Sequence, residues 1–269
     1  MRFGCCFGVR TDYAASLKDA GFDYGETNVR DIMQMDDAAF AEYREKLREI
    51  GLPIESACVF LTGGLYLNRL QADYTVIDDY LTRAVSRCKA PGIQTIVFGS
   101  GGARRIPEPL TKEDVFDDLV VFLRDHVLPR TIPAGIHIAI EPLSEECCIR
   151  TVGEALALSD AVGSEWVQVL ADNFHMVRVG DPIDAIRNAH GRMVHAHISR
   201  PRENGRRTLP MHGDGYDPYA FMKEVRETGC ERLSIEADTT PETFREEAHD
   251  AILVLRETLA RIENEAKQA

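Results

Sequence analysis

The chain has 269 residues, 44% of them hydrophobic, which is enough to fill one large core and typical in length of a single α/β barrel. Acidic residues outnumber basic ones by 44 to 31, and the formal net charge of −13 opposes a broad phosphate-backbone footprint, so no nucleic-acid partner is expected. With no apolar run near the ~20 residues that span a bilayer, no basic-then-apolar leader at the start and no CxxC pair among seven cysteines, a cytoplasmic protein with reduced thiols and no membrane partner is expected.

Eight short apolar runs alternate with longer amphipathic stretches: 2–8 (RFGCCFG), 22–28 (FDYGETN), 53–60 (PIESACVF), 93–99 (IQTIVFG), 136–141 (IHIAIE), 166–172 (WVQVLAD), 193–199 (MVHAHIS) and 232–237 (RLSIEA). Such alternation is the pattern of parallel strands joined by helical crossovers. Gly21, Gly51, Gly163 and Gly229 are placed to end four of the helices. Asp181 before Pro182, Asp217 before Pro218 and Thr240 before Pro241 each set an oxygen-bearing cap ahead of a proline at the first helical position. Eight βα units predict an α/β TIM barrel, a (β/α)8 fold, with residues 1–269 as one domain. The glycine fingerprint of a dinucleotide-binding sheet is missing after the first strand. The stretch Gly99–Arg105 (GSGGARR) lacks P-loop spacing and leaves two readings open. It is either an anion cradle, as for a phosphorylated substrate, or a tight loop whose arginines pair with surface carboxylates or gate the mouth.

Side chains alternate between the two faces of a strand, so the last four runs sort into two sets. Ile136, Ile138, Ile140, Val167, Val169, Ala171, Val194, Ala196, Ile198, Leu233, Ile235 and Ala237 form the apolar set, which must lie under the helices. The opposite set points His137, Glu141, Gln168, Asp172, His195, His197, Arg232 and Glu236 into the barrel, where buried charge is costly unless paired or bound to a metal. The last inward residue of each strand stands at the C-terminal mouth, where barrel enzymes keep their active sites. Glu141, Asp172, His197 and Glu236 are therefore candidate ligands for one divalent ion. Three carboxylates and one imidazole suit Mn²⁺, Mg²⁺ or Co²⁺ with positions left open, rather than a closed Zn²⁺ site. His137 and His195 read as hydrogen-bonded core histidines.

IVFGSGGARRIPE after the fourth strand, IAIEPLS, LADNFHM, VHAHIS and HGDGYDPYAFMKEVRETGCERLSIEA occur in an order and spacing that resemble the sugar phosphate isomerase/epimerase family. These are xylose-isomerase-like TIM barrels, and the resemblance is greatest to the ketose 3-epimerases, over nearly the whole chain. It implies that Glu141, Asp172, His197 and Glu236 bind one divalent metal and that Glu141 and Glu236 double as the acid/base pair. It also implies that His175 contacts the substrate and that an arginine after the seventh strand does so too. Of Arg200, Arg202, Arg206 and Arg207, Arg206 is the one expected. The implied reaction is isomerisation or epimerisation of a ketose or keto-polyol through an enediolate, in a chain that assembles as a dimer or tetramer like its relatives. One departure is that the family's EPLNxxE pattern reads EPLSEECC here, with Cys147 where the second glutamate falls. A dehydratase of the inosose or 3-dehydroshikimate type, and a sugar-binding barrel without turnover, are the rival readings.

Overall fold

The computed structural model describes residues 1–268. Eight strands, β1 (Arg2–Gly8), β2 (Tyr24–Asn28), β3 (Ile54–Cys58), β4 (Thr95–Phe98), β5 (His137–Ile140), β6 (Val167–Asp172), β7 (Met193–Ile198) and β8 (Arg232–Ile235), close into a parallel barrel. Each pairs with its neighbours in sequence, and β1 pairs with β8, so no edge is left open. Every strand end lies within about two residues of the run read from hydrophobicity, the margin expected where ladders fray.

Helices cover the outside of the barrel, and their ends follow the chain's own punctuation. Gly21, Gly51 and Gly163 are left-handed caps of the helices Thr11–Ala20, Asp37–Ile50 and Val152–Val162. Two of the expected proline starts shift. The helix Tyr219–Glu227 begins after Pro218 with Asp217 accepting from the Tyr219 amide, whereas the last helix begins at Phe244 rather than beside Pro241. Asp181 caps a different element, because its carboxylate accepts from the Val152 amide and so ties the start of the helix 152–162 to the chain beyond β6. Among the described residues no helix is long and apolar enough to cross a membrane.

The main apolar core lies between strands and helices and contains Ile138, Ile140, Val167, Val169, Ala171, Ala196, Ile198, Leu233 and Ile235, as the face sorting predicts. Val194 is the exception. The β6–β7 register jumps from Val169↔Met193 to Leu170↔His195, so one extra residue is accommodated, Met193 takes the helix-facing place, and Val194 packs with the interior group Cys58, Val97, Ala139 and Leu170. The N-terminal end of the barrel is closed by charge. Glu55 accepts from Arg2 and, at 2.9 Å, from Arg232, whose other guanidinium nitrogen donates to Gln94.

Candidate active site

Four strand ends converge at the opposite, C-terminal mouth. His197, fully buried at the end of β7, turns Nδ1 toward three carboxylates: Glu236 Oε2 at 2.9 Å, Glu141 Oε1 at 3.2 Å and Asp172 Oδ2 at 3.9 Å. One ligand atom from each of these four residues lies within 4.8 Å of all the others. Asp172 divides its oxygens, because Oδ1 caps the helix Asn173–Val179 by accepting from the Phe174 amide at 2.7 Å while Oδ2 faces the cluster. A set of three hard oxygen donors and one imidazole, gathered within the span of one coordination sphere, fits a divalent cation.

The electrostatics are those of a crowded anionic site. Burial disfavours ionised Asp172 and, with Glu236 and Glu141 adding to it, outweighs His175 and Arg207, so its pKa is raised. Burial opposes ionisation of Glu236 as well, but His197 and Arg207 prevail there and bring it down to about 2. For His197 burial favours the neutral ring, yet Glu26 and Glu236 hold its pKa well above the usual histidine range.

His175 stands in the first turn of the helix after β6, with Nε2 4.0 Å from Asp172 Oδ2. Its Nδ1 lies 3.1 Å from the Ser144 amide, which can only donate, so the ring proton sits on Nε2 and points toward the cluster. Arg206, expected at the site, lies away from it: it is exposed and turns toward Asp238. The next residue takes that place. Arg207 donates to Asp172 Oδ2 at 3.1 Å and to Glu236 Oε1, and lies over the Phe174 ring. The reason is a two-stranded hairpin, Arg200–Pro201 against Arg207–Thr208, which turns successive side chains to opposite sides.

Above the cluster is a cavity of about 480 Å³, lined in part by Arg105, Glu145, His175 and Arg207 as well as Glu141 and Glu236. Cys147 does not face it; its thiol is buried against the Ile149 carbonyl, and Glu145 reaches the cavity wall instead. The arginines of the glycine-rich loop also divide. Arg105 lines the mouth, whereas Arg104 is fully buried over Phe98 and donates to the Glu141 carbonyl at 2.9 Å, so it pairs with no surface carboxylate. His137 stacks on Trp166, and His195 bonds Glu26 inside the barrel.

Glu26 on β2 joins the site from outside the four strands sorted above. It is fully buried and lies 3.0 Å from His197 Nε2 and 2.7 Å from His195 Nε2. The same alternation that exposed the other carboxylates, applied to YGETN, would have put it on the interior face.

The family pattern described as xylose isomerase-like TIM barrel matches residues 14–258. The chain belongs to that family. No curated protein sequence matches it. Among solved structures, this xylose isomerase-like barrel is similar to a D-psicose 3-epimerase crystallised with D-fructose (TM-score 0.82, 21% identity, 96% of this chain and 99% of that one). It is also similar to an L-ribulose 3-epimerase (0.81, 18%, 99% and 97%) and to an IolI protein with bound zinc (0.70, 18%, 97% and 98%). At these identities the likeness speaks for the barrel, and the chemistry has to come from the site.

Proposed function

We propose that this protein is a divalent-metal-dependent sugar epimerase or isomerase, acting on a ketose or related keto-polyol by removing the proton beside the carbonyl through an enediolate. The observation that carries the reading is the pair Glu141 and Glu236, which approach one histidine nitrogen from two different strands at the floor of a sugar-sized cavity. The epimerases among the similar structures support it. A Mn²⁺, Mg²⁺ or Co²⁺ ion held by Glu141, Asp172, His197 and Glu236 would supply the positive charge that acidifies the carbon-bound proton next to a chelated ketone.

The chain's own groups do the rest. One of Glu141 and Glu236 removes the proton from C3, and the other returns one from the opposite face, which inverts that carbon; return to C2 instead gives the isomeric ketose. Arg207 leans across Asp172 and Glu236 and offers its guanidinium to substrate oxygens, the role expected of Arg206 from sequence. The Nε2 proton of His175 faces the same space and donates to an oxygen near the carbonyl.

The test is a ketose and keto-polyol panel, with and without phosphate, in deuterated water. Protein treated with a chelator is expected to be inactive and to recover with Mn²⁺, Co²⁺ or Mg²⁺, and Glu236→Gln to lose deuterium entry at C3 while keeping metal. Full activity after complete metal removal, or absorbance from an unsaturated product, rejects the reading.

A further inference from the structure

The cluster at the mouth continues inward. On the far side of His197 from its three carboxylates lies Glu26, a fourth carboxylate with no exposed surface. Each of its two oxygens has a partner. Oε1 is 3.0 Å from His197 Nε2, while Oε2 accepts from Ser56 Oγ at 2.9 Å and lies 2.7 Å from His195 Nε2. A carboxylate of this kind only accepts, so both rings must direct an N–H at it. For His195 this leaves an unprotonated Nδ1, and that atom is buried with no hydrogen-bond partner, a lone pair rather than a stranded proton. For His197 it leaves Nδ1 as the nitrogen that faces Glu141, Asp172 and Glu236.

From this geometry we infer that Glu26 is a positioning residue for the metal: it fixes the ring angle and the Nε2–H tautomer of His197 so that Nδ1 presents its lone pair to the ion. The inference rests on the metal reading above. Cys6 and Glu26 also lie close to His197, but the His197 nitrogen that faces Glu26 is the one that carries the proton, so Glu26 acts through the imidazole. The fixed negative charge behind the ring adds to ligand basicity, and removal of such a partner generally weakens metal binding 10- to 100-fold. Ser56 and His195 hold Glu26 in turn, which links β3, β2 and β7.

The experiment compares Mn²⁺ binding to wild-type protein and Glu26→Gln by titration calorimetry, with melting of both chelated proteins alongside. Glu26→Gln keeps the size and an acceptor oxygen but loses the charge, and is expected to bind Mn²⁺ about 10- to 100-fold more weakly. A merely structural role would lower the melting temperature and leave the affinity of the folded protein unchanged; affinity within about twofold of wild type overturns the proposal. Should the variant not fold, the wild type answers directly. In ¹⁵N-histidine spectra of the Zn²⁺-loaded protein, His197 is expected to carry its proton on Nε2 with Nδ1 bound to the metal, and the reverse assignment overturns the proposal. Wild-type protein that binds no divalent ion overturns the metal reading as well, whereas unchanged affinity in Glu26→Gln alone overturns only the role of Glu26.

Discussion

At Asp172 one carboxylate oxygen caps a helix and the other faces the imidazole of His197, so the residue cannot move without either opening the helix start or leaving the cluster. Glu141 is held differently, by its surroundings. Arg104 grips its carbonyl from below, and its side chain rests where Gly99 leaves room: a Cβ at residue 99 would stand 2.3 Å from Glu141 Oε2. No left-handed backbone requires that glycine, which makes the close approach its purpose. Gly99→Ala is therefore expected to push the Glu141 carboxylate aside. A displacement of about 1 Å in a reacting group costs roughly 100-fold, so the rate of deuterium entry into substrate should fall by about that factor while the fold survives. An unchanged rate would show that Glu141 does not need its present position.

Among elements, the seventh βα connection carries the most adaptation. After the hairpin, residues 209–217 pass the start of the helix Asn173–Val179, where the Tyr216 hydroxyl accepts from Asn173, the neighbour of Asp172. His212 anchors this return to the last helix, Phe244–Gln268, through Asp250 Oδ1 at 2.6 Å and Glu257 Oε2 at 3.0 Å. Bonds to these two carboxylates raise its pKa from 6.5 to about 9. A raised histidine pKa contributes stability that is complete below the unfolded value and disappears as pH climbs through the folded one. Melting temperature should thus decline between pH 6.5 and about 9, and His212→Gln should flatten that decline. An identical slope in the variant would count against the anchor. The elements also mark what sequence can carry. Strand faces were legible because one side of each strand must meet apolar helix stripes. The inward turn of Val194 was hidden by an extra residue in the β6–β7 ladder, and the choice of Arg207 over Arg206 depends on hairpin register, which four arginines in one loop do not reveal. Alternation places Glu26 only on the interior face; its partners are not legible, because the two histidines lie 169 and 171 residues downstream.

For the whole molecule, packing and chemistry occupy separate regions. The apolar core between strands and helices is complete without any ion, so chelated protein should remain folded. A cation that binds only the native site adds about 2.7 kcal/mol at 100 times its Kd, and for a chain of this size that corresponds to a rise of roughly 5 °C in melting temperature. Calorimetric scans with chelator and with excess Mn²⁺ measure it, and coincident transitions would mean that no such site exists. The closed end has a different consequence. Because Arg2, Glu55 and Arg232 seal the barrel floor and Cys58, Val97, Ala139 and Leu170 fill the space above it, the chamber is blind-ended. A product must back out through the opening by which its precursor came in, so departure of one molecule and arrival of the next compete for a single doorway.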